Sequence, residues 1–183
     1  MALPEATLPY GCRDVKLTPY DSTNGDYGTM VDLPNSRTLT WTDSEEFTEL
    51  RGDDRVVATR GSGPTVTFNL ESGGISLAAY AVMSGGSVQE TGVTPNIVRT
   101  YSKTTAQSRP YFRIDGQSIN DNGGDTKVVI YKAKLTGDIG GGFADTEFML
   151  TSAEGAGLGD EYRSDALYDI IASETAASII QPV

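Results

Sequence analysis

Between residues 65 and 71 the chain reads TVTFNLE, with Val66, Phe68 and Leu70 at every second position and Thr65, Thr67 and Asn69 between them. A period of two puts apolar side chains on one face of an extended strand and polar ones on the other. The same alternation opens at residue 36, where Leu39 and Trp41 point one way and Thr38, Thr40 and Thr42 the other. Patterns of this period must be satisfied by pairing strands and covering one face, so the fold is limited to sheets packed on each other or closed on themselves. Trp41, Val66, Phe68 and Leu70 are the expected core.

The rest of the chain extends that reading. KVVIYKAKLT, residues 127–136, predicts the longest strand, with Val129, Tyr131 and Leu135 on one face and Ile130, Lys132 and Lys134 on the other. Shorter strands are predicted at 56–59, 96–102, 111–117 and 147–152, separated by the turns RGSGP, Gly123-Gly124 and Gly140-Gly141-Gly142. The segment GGISLAAYAVMSGG is bracketed by glycine pairs and predicts a helix over 76–84; a helix this short must lie on a sheet to persist. LYDIIASETAASII fits a strand by its Ile and Tyr content, although Leu167, Ile170 and Ile171 also suit a helical stripe, and we assign strand. Residues 1–35 hold Pro4, Pro9, Pro19 and Pro34 with the polar run DSTNGDYG. They predict an N-terminal arm or loop region, with at most short strands at 13–17 and 27–33. Residues 43–54 hold six acids and one base and are either the far end of a long hairpin or a protruding loop. The expectation is one all-β domain, a sandwich or barrel over 36–183 with one short flanking helix, preceded by the arm.

The side chains that are absent narrow the function. There is no histidine, and Cys12 is the only thiol, so histidine triads and Cys/His zinc sites have no raw material. GDIGGGF at 137–143 lacks a following GK[ST] and reads as a turn. Neither the acids around residue 49 nor Asp115, Asp121 and Asp125 match a calcium-loop spacing. No catalytic residue, cofactor or metal is therefore expected. Apolar runs reach about ten residues, half the length that spans a bilayer, and nothing resembles a signal peptide, so assembly in a cytoplasm without membrane contact is expected. The formal net charge of -11 opposes tight binding to a phosphate backbone. It is uneven: residues 1–94 hold 13 acids and 6 bases, 95–137 hold 3 and 7, and 138–183 hold 9 and 1. Opposite charge on different segments suits head-to-tail self-association.

The stretch LPNSRTLTWTDSEEFTELRGDDRVVATRGSGPTVTFNLESGGISLAAYAVMSGG, together with LYDIIASETA near the end, resembles major tail proteins (tail tube proteins) of long-tailed bacteriophages of actinobacterial hosts. The resemblance lies in the order strand, acidic segment, LRGDD turn, two strands and a glycine-flanked helix, and covers about a third of the chain. It implies a β-sandwich flanked by a helix, assembled as a six-membered ring whose inner sheets join into one barrel, with rings stacked through loops and arms; some members carry an extra C-terminal immunoglobulin-like domain, which this chain is expected to lack. About 24 strands spaced about 4.8 Å apart and tilted about 40° would enclose roughly 35 to 40 Å, enough for a duplex about 20 Å wide. An acidic wall would let DNA pass without holding it. The partners implied are copies of the chain and other phage tail proteins, in the tail of a virion. A head decoration protein, another virion β-protein and a carbohydrate-binding or hydrolytic β-domain remain alternatives.

Two groups of residues are candidates for the contacts between subunits and rings. Glu45, Glu46, Phe47, Glu49, Asp53 and Asp54 form the acidic segment, expected to serve such contacts along with the arm before Pro34. Arg99, Lys103, Arg109 and Arg113 belong to the basic middle, expected to face acidic surface of the next subunit, since a closed ring joins two different patches.

Overall fold

The structure is a computed structural model that describes residues 6–182. Its elements are strand β1 (Pro9–Tyr20), the short β2 (Val31–Asp32), the long pair β3 (Ser36–Gly52) and β4 (Arg55–Gly73), helix α1 (Leu77–Ser84), β5 (Ser87–Thr91), β6 (Val98–Ser102), β7 (Tyr111–Asn120), β8 (Asp125–Gly140), β9 (Leu150–Leu158) and β10 (Tyr168–Ser173). The chain is thus all-β with one short helix. Every strand pairing is antiparallel, and the main sheet runs β2-β1-β7-β8-β9-β4-β3.

Strand β8 holds this path together by serving two neighbourhoods. Its first half pairs with β7 on one side and β10 on the other, and its second half pairs with β9. The path folds over there, so that β1 returns against β3 and the interior fills with Val15, Leu17, Phe68, Leu70, Phe112 and Ile114, all buried. Phe68 and Phe112 meet edge to face at 6.0 Å between centroids. Helix α1 covers the core with Ala79, Val82 and Met83; Ser76 caps its start by accepting from the Ala79 amide, and Gly85 ends it with φ of 79°.

Several expectations hold. Val66, Phe68 and Leu70 are buried, and Trp41 is half-buried against the core. The helix falls where the glycine pairs place it, and the C-terminal segment is a strand over Tyr168–Ser173.

Others are corrected. The expected arm contains β1, whose Val15 and Leu17 are fully buried and which pairs with β7 over its length; its first five residues lie outside the described residues. The prolines mislead because Pro9 opens the strand and Pro19 uses only its carbonyl, accepting from the Gly28 amide. RGSGP is not a turn: β4 runs through it, opposite Glu45 and Phe47, with a bulge absorbing Ser62 and Gly63. In β8 the assigned faces do not persist. Ile130, Ala133 and Leu135 all enter the core while Tyr131 turns outward, because an irregularity in the pairing between Phe112 and Ile114 shifts the strand by one residue. Strand β9 starts three residues later than expected and runs on through the glycine-rich SAEGAGL, and the pair β5 and β6 forms a separate small sheet.

Gly155 faces Phe68 in β4 and Leu135 in β8, and a Cβ there would lie 2.3 Å from the Lys134 carbonyl oxygen and 2.5 Å from the Phe68 ring. Denaturant unfolding is expected to show Phe68→Ala destabilised by about 3 to 5 kcal/mol through the cavity left behind. Gly155→Ala is expected to cost about 1 to 3 kcal/mol through overpacking, although it adds only a methyl group. A loss below about 1 kcal/mol for Phe68→Ala would mean the β4 face is not core.

Candidate functional site

The acidic candidates come together on one protrusion. From Asp43 outward, β3 and the facing half of β4 leave the body as a two-stranded ribbon whose residues are almost all exposed. Its turn is made by Asp53 and Asp54, both left-handed with φ of 50° and 60°, a pairing that suits the twist of a tight hairpin. Glu45, Glu46, Glu49, Asp53 and Asp54 lie along the ribbon in water, and Arg51 folds back on Glu49 at 3.0 Å. Phe47 and Leu50 are each 63% exposed, and Val56 and Val57 are exposed beside them. A two-stranded ribbon has no core, so these apolar groups remain in water unless another surface covers them. At its base the Tyr168 hydroxyl donates to Asp43, which ties β10 to β3.

The four basic candidates are not gathered in the same way, and each already has a partner. Arg99 on β6 pairs with Glu90 on β5 at 2.6 Å. Lys103 donates to the carbonyl and hydroxyl of Ser84 at the end of α1, where a cation also suits the helix dipole. Arg109 donates to the carbonyls of Leu135 and Gly137, clamping β8. Arg113 is half-buried, forked onto Asp115 at 2.6 Å, with its guanidinium near the rings of Tyr27 and Tyr131. Three of the four therefore hold elements of the chain together, and Arg99 is exposed in its pair.

Two buried carboxylates fasten the ends of the sheet. Asp160 is fully buried and accepts from the Tyr20 hydroxyl at 2.6 Å, Arg163 at 2.8 Å and the Tyr162 amide at 3.1 Å. Burial opposes its ionisation, but these donors outweigh it and hold its pKa below the usual value; Tyr20 is pushed up in turn by burial and by the same carboxylate. Asp125, also fully buried, accepts from Gln117 and from the Ala177 amide, pinning the tail after β10 to the β7–β8 hairpin. Its pKa is likewise lowered, the donors and Lys127 overcoming burial. On the outer side of β8, burial and the Asp169 carboxylate push Tyr131 up to about 12.

Among the described residues no group of three or more Cys, Asp or Glu side chains is placed to hold a metal ion, and no helix is long and apolar enough to cross a membrane. A cleft of about 350 Å³ opens between β1, β3, β7 and β8, with Cys12, Leu39, Trp41 and Val128 in its walls. Its floor includes Gly116, where the Leu39 methyl occupies the place a Cβ would take. Near Asp14, and half-buried, the Cys12 thiol has its pKa raised. The loop from 141 to 149 carries Phe143 and Phe148, 94% and 97% exposed. The sequence reads 137–143 as a turn and 147–152 as a strand, and assigns no role to the aromatics of this loop or to the two carboxylates as latches. The loop had a signal, two aromatics in an aperiodic acidic segment; for the latches only Arg163 and Tyr162 lie close to Asp160 in the chain, while Tyr20, and Ala177 for Asp125, are far away. No protein-family model matches this chain, and no curated protein matches it.

Because both latch carboxylates titrate lower when folded than when unfolded, near 4, they add stability above about pH 4 that is lost as pH falls through their folded values. Asp160→Asn is expected to lower the unfolding free energy at pH 7 by about 1 to 3 kcal/mol, since it impairs a buried hydrogen-bonded acceptor. Its stability is expected to fall less between pH 6 and pH 2.5 than that of the wild type. Equal pH slopes for the two proteins would contradict the linkage.

Proposed function

We propose that the chain is the structural subunit of a bacteriophage tail tube, assembling with itself into stacked six-membered rings around a channel for DNA. The observation that carries this reading is the β3–β4 ribbon. It is a long ordered projection whose apolar residues serve no purpose in an isolated subunit, and a partner copy would cover them.

Other features support the same reading. β3 pairs only with β4 and β10 only with β8, so each leaves an unpaired strand edge. Unpaired edges invite main-chain pairing with a neighbour, which is what joining the sheets of a ring into one barrel requires. Ile170 and Ile171 on β10 are exposed, which favours covering that edge. With a net charge of -11, DNA would pass down the channel without specific binding. The role is non-enzymatic, needs no cofactor, and places the protein in the virion tail with other tail proteins at the ends of the tube.

Electron microscopy of the purified protein at high concentration is expected to show rings or tubes with an opening of about 35 to 40 Å. Phe47→Asp combined with Leu50→Asp is expected to leave the unfolding transition within about 0.5 kcal/mol of wild type, as exposed substitutions do, while abolishing stacking. A protein that stays monomeric at all concentrations, or that stacks as well with both substitutions, would overturn this function.

A further inference from the structure

We infer that the apolar cleft of one copy receives the Phe143 side chain from the 141–149 loop of a second copy. The inference rests on the tail-tube reading only in requiring that copies associate.

The loop has the composition of an anchor. Phe143 and Phe148 are the most exposed large apolar side chains in the described chain. Aromatic residues are the type that most often dominates binding when inserted into a pocket. The two differ in setting. Phe148 borders a groove of its own chain beside Asn35 and Arg37. Phe143 instead follows Gly142, around which a Cβ would meet nothing within 4 Å, and its own side chain is 94% exposed.

The cleft has the matching form. Its volume of about 350 Å³ is at the small end of recesses that hold a ligand, and its walls are largely apolar, which suits one aromatic ring. Charge is complementary as well. Arg37 is the only charged residue in the lining among the described residues, while residues 141–149 contain Asp145 and Glu147 and no base. Asp145 is two residues from Phe143, close enough to reach Arg37 when the ring is seated. Arg37 now pairs with Glu71 at 3.3 Å, at the surface, where such a pair is readily exchanged. Copies carrying -11 repel at long range, so a contact that sets acids against a base is favoured over others. Loop and cleft are different patches, so the contact joins copies head to tail.

Cys12 in the cleft wall makes the contact testable. In Phe143→Cys the introduced thiol and Cys12 are the only two in the protein, and a disulfide needs their Cα atoms within about 7 Å. Mild oxidation with copper phenanthroline under assembling conditions is expected to give a ladder of covalent multimers on a non-reducing gel. The ladder should yield a peptide joining Cys12 to position 143, and should lose that linkage when Cys12→Ser is added. In the wild type, alkylation of Cys12 by iodoacetamide is expected to slow about tenfold on assembly, and Phe143→Ala is expected to weaken association about tenfold or more. Only intramolecular disulfides, only links between two introduced thiols, or alkylation unchanged by assembly would each overturn the inference. If any of these occurs while the wild type still forms tubes, the tube reading stands and this contact does not; if the wild type never associates, both fall.

Discussion

A register break in β8 lets the main sheet turn over on itself, and the closed core and the open edges follow from that turn. A sixteen-residue strand with one uniform alternation would offer one face to the core and leave the other in water. Shifting by one residue between Ile130 and Ala133 lets the same strand give Ile130 to the interior in one half and Ala133 and Leu135 in the other. The sheet can then fold at β8, with β7 and β10 on its first half and β9 on its second. Phe112 sits at the break, fully buried against Phe68, and Gly155 is small because both strands converge on it.

Around this turn the chain uses ionisable groups for fastening. Asp160, Asp125 and Arg113 would each cost several kcal/mol to bury alone, and each meets donors or acceptors that offset much of that cost, those of Asp125 all at one of its two oxygens. Their shifted pKa values follow from this structural duty. Shifted groups often mark active sites, but here they join segments distant in sequence: Tyr20 to Asp160, and Gln117 and Asp125 to Ala177.

The chain closes its core well and leaves its periphery open. The interior holds Val66, Ile114 and Ile130 with no exposure, while the hairpin ribbon, the 141–149 loop and β10 carry Phe47, Leu50, Phe143, Phe148 and Ile170 in water. Apolar surface placed on projections instead of being scattered singly favours association over solubility as its explanation. The acids interspersed along the same projections, Glu45, Glu49, Asp145 and Glu147, offset the tendency of such apolar surface to associate unspecifically.

Features with a local cause were legible in the amino-acid sequence. Alternation over 65–71 marked the buried face of β4, glycine pairs delimited α1, and the density of acids between 43 and 54 marked exposure. The lack of histidine and the single thiol removed whole classes of chemistry by composition alone. Packing settled the role of the N-terminal region, where proline counts suggested an arm but pairing with β7 made β1 a core strand. Packing also set the faces of β8 and the partners of Lys103, Arg109 and Arg113, which sequence reading had assigned to other subunits. The reason is physical. Periodicity and capping act within a few residues, whereas a register shift or a buried hydrogen bond is set by groups up to 140 residues apart in the chain, brought together only when the sheet closes.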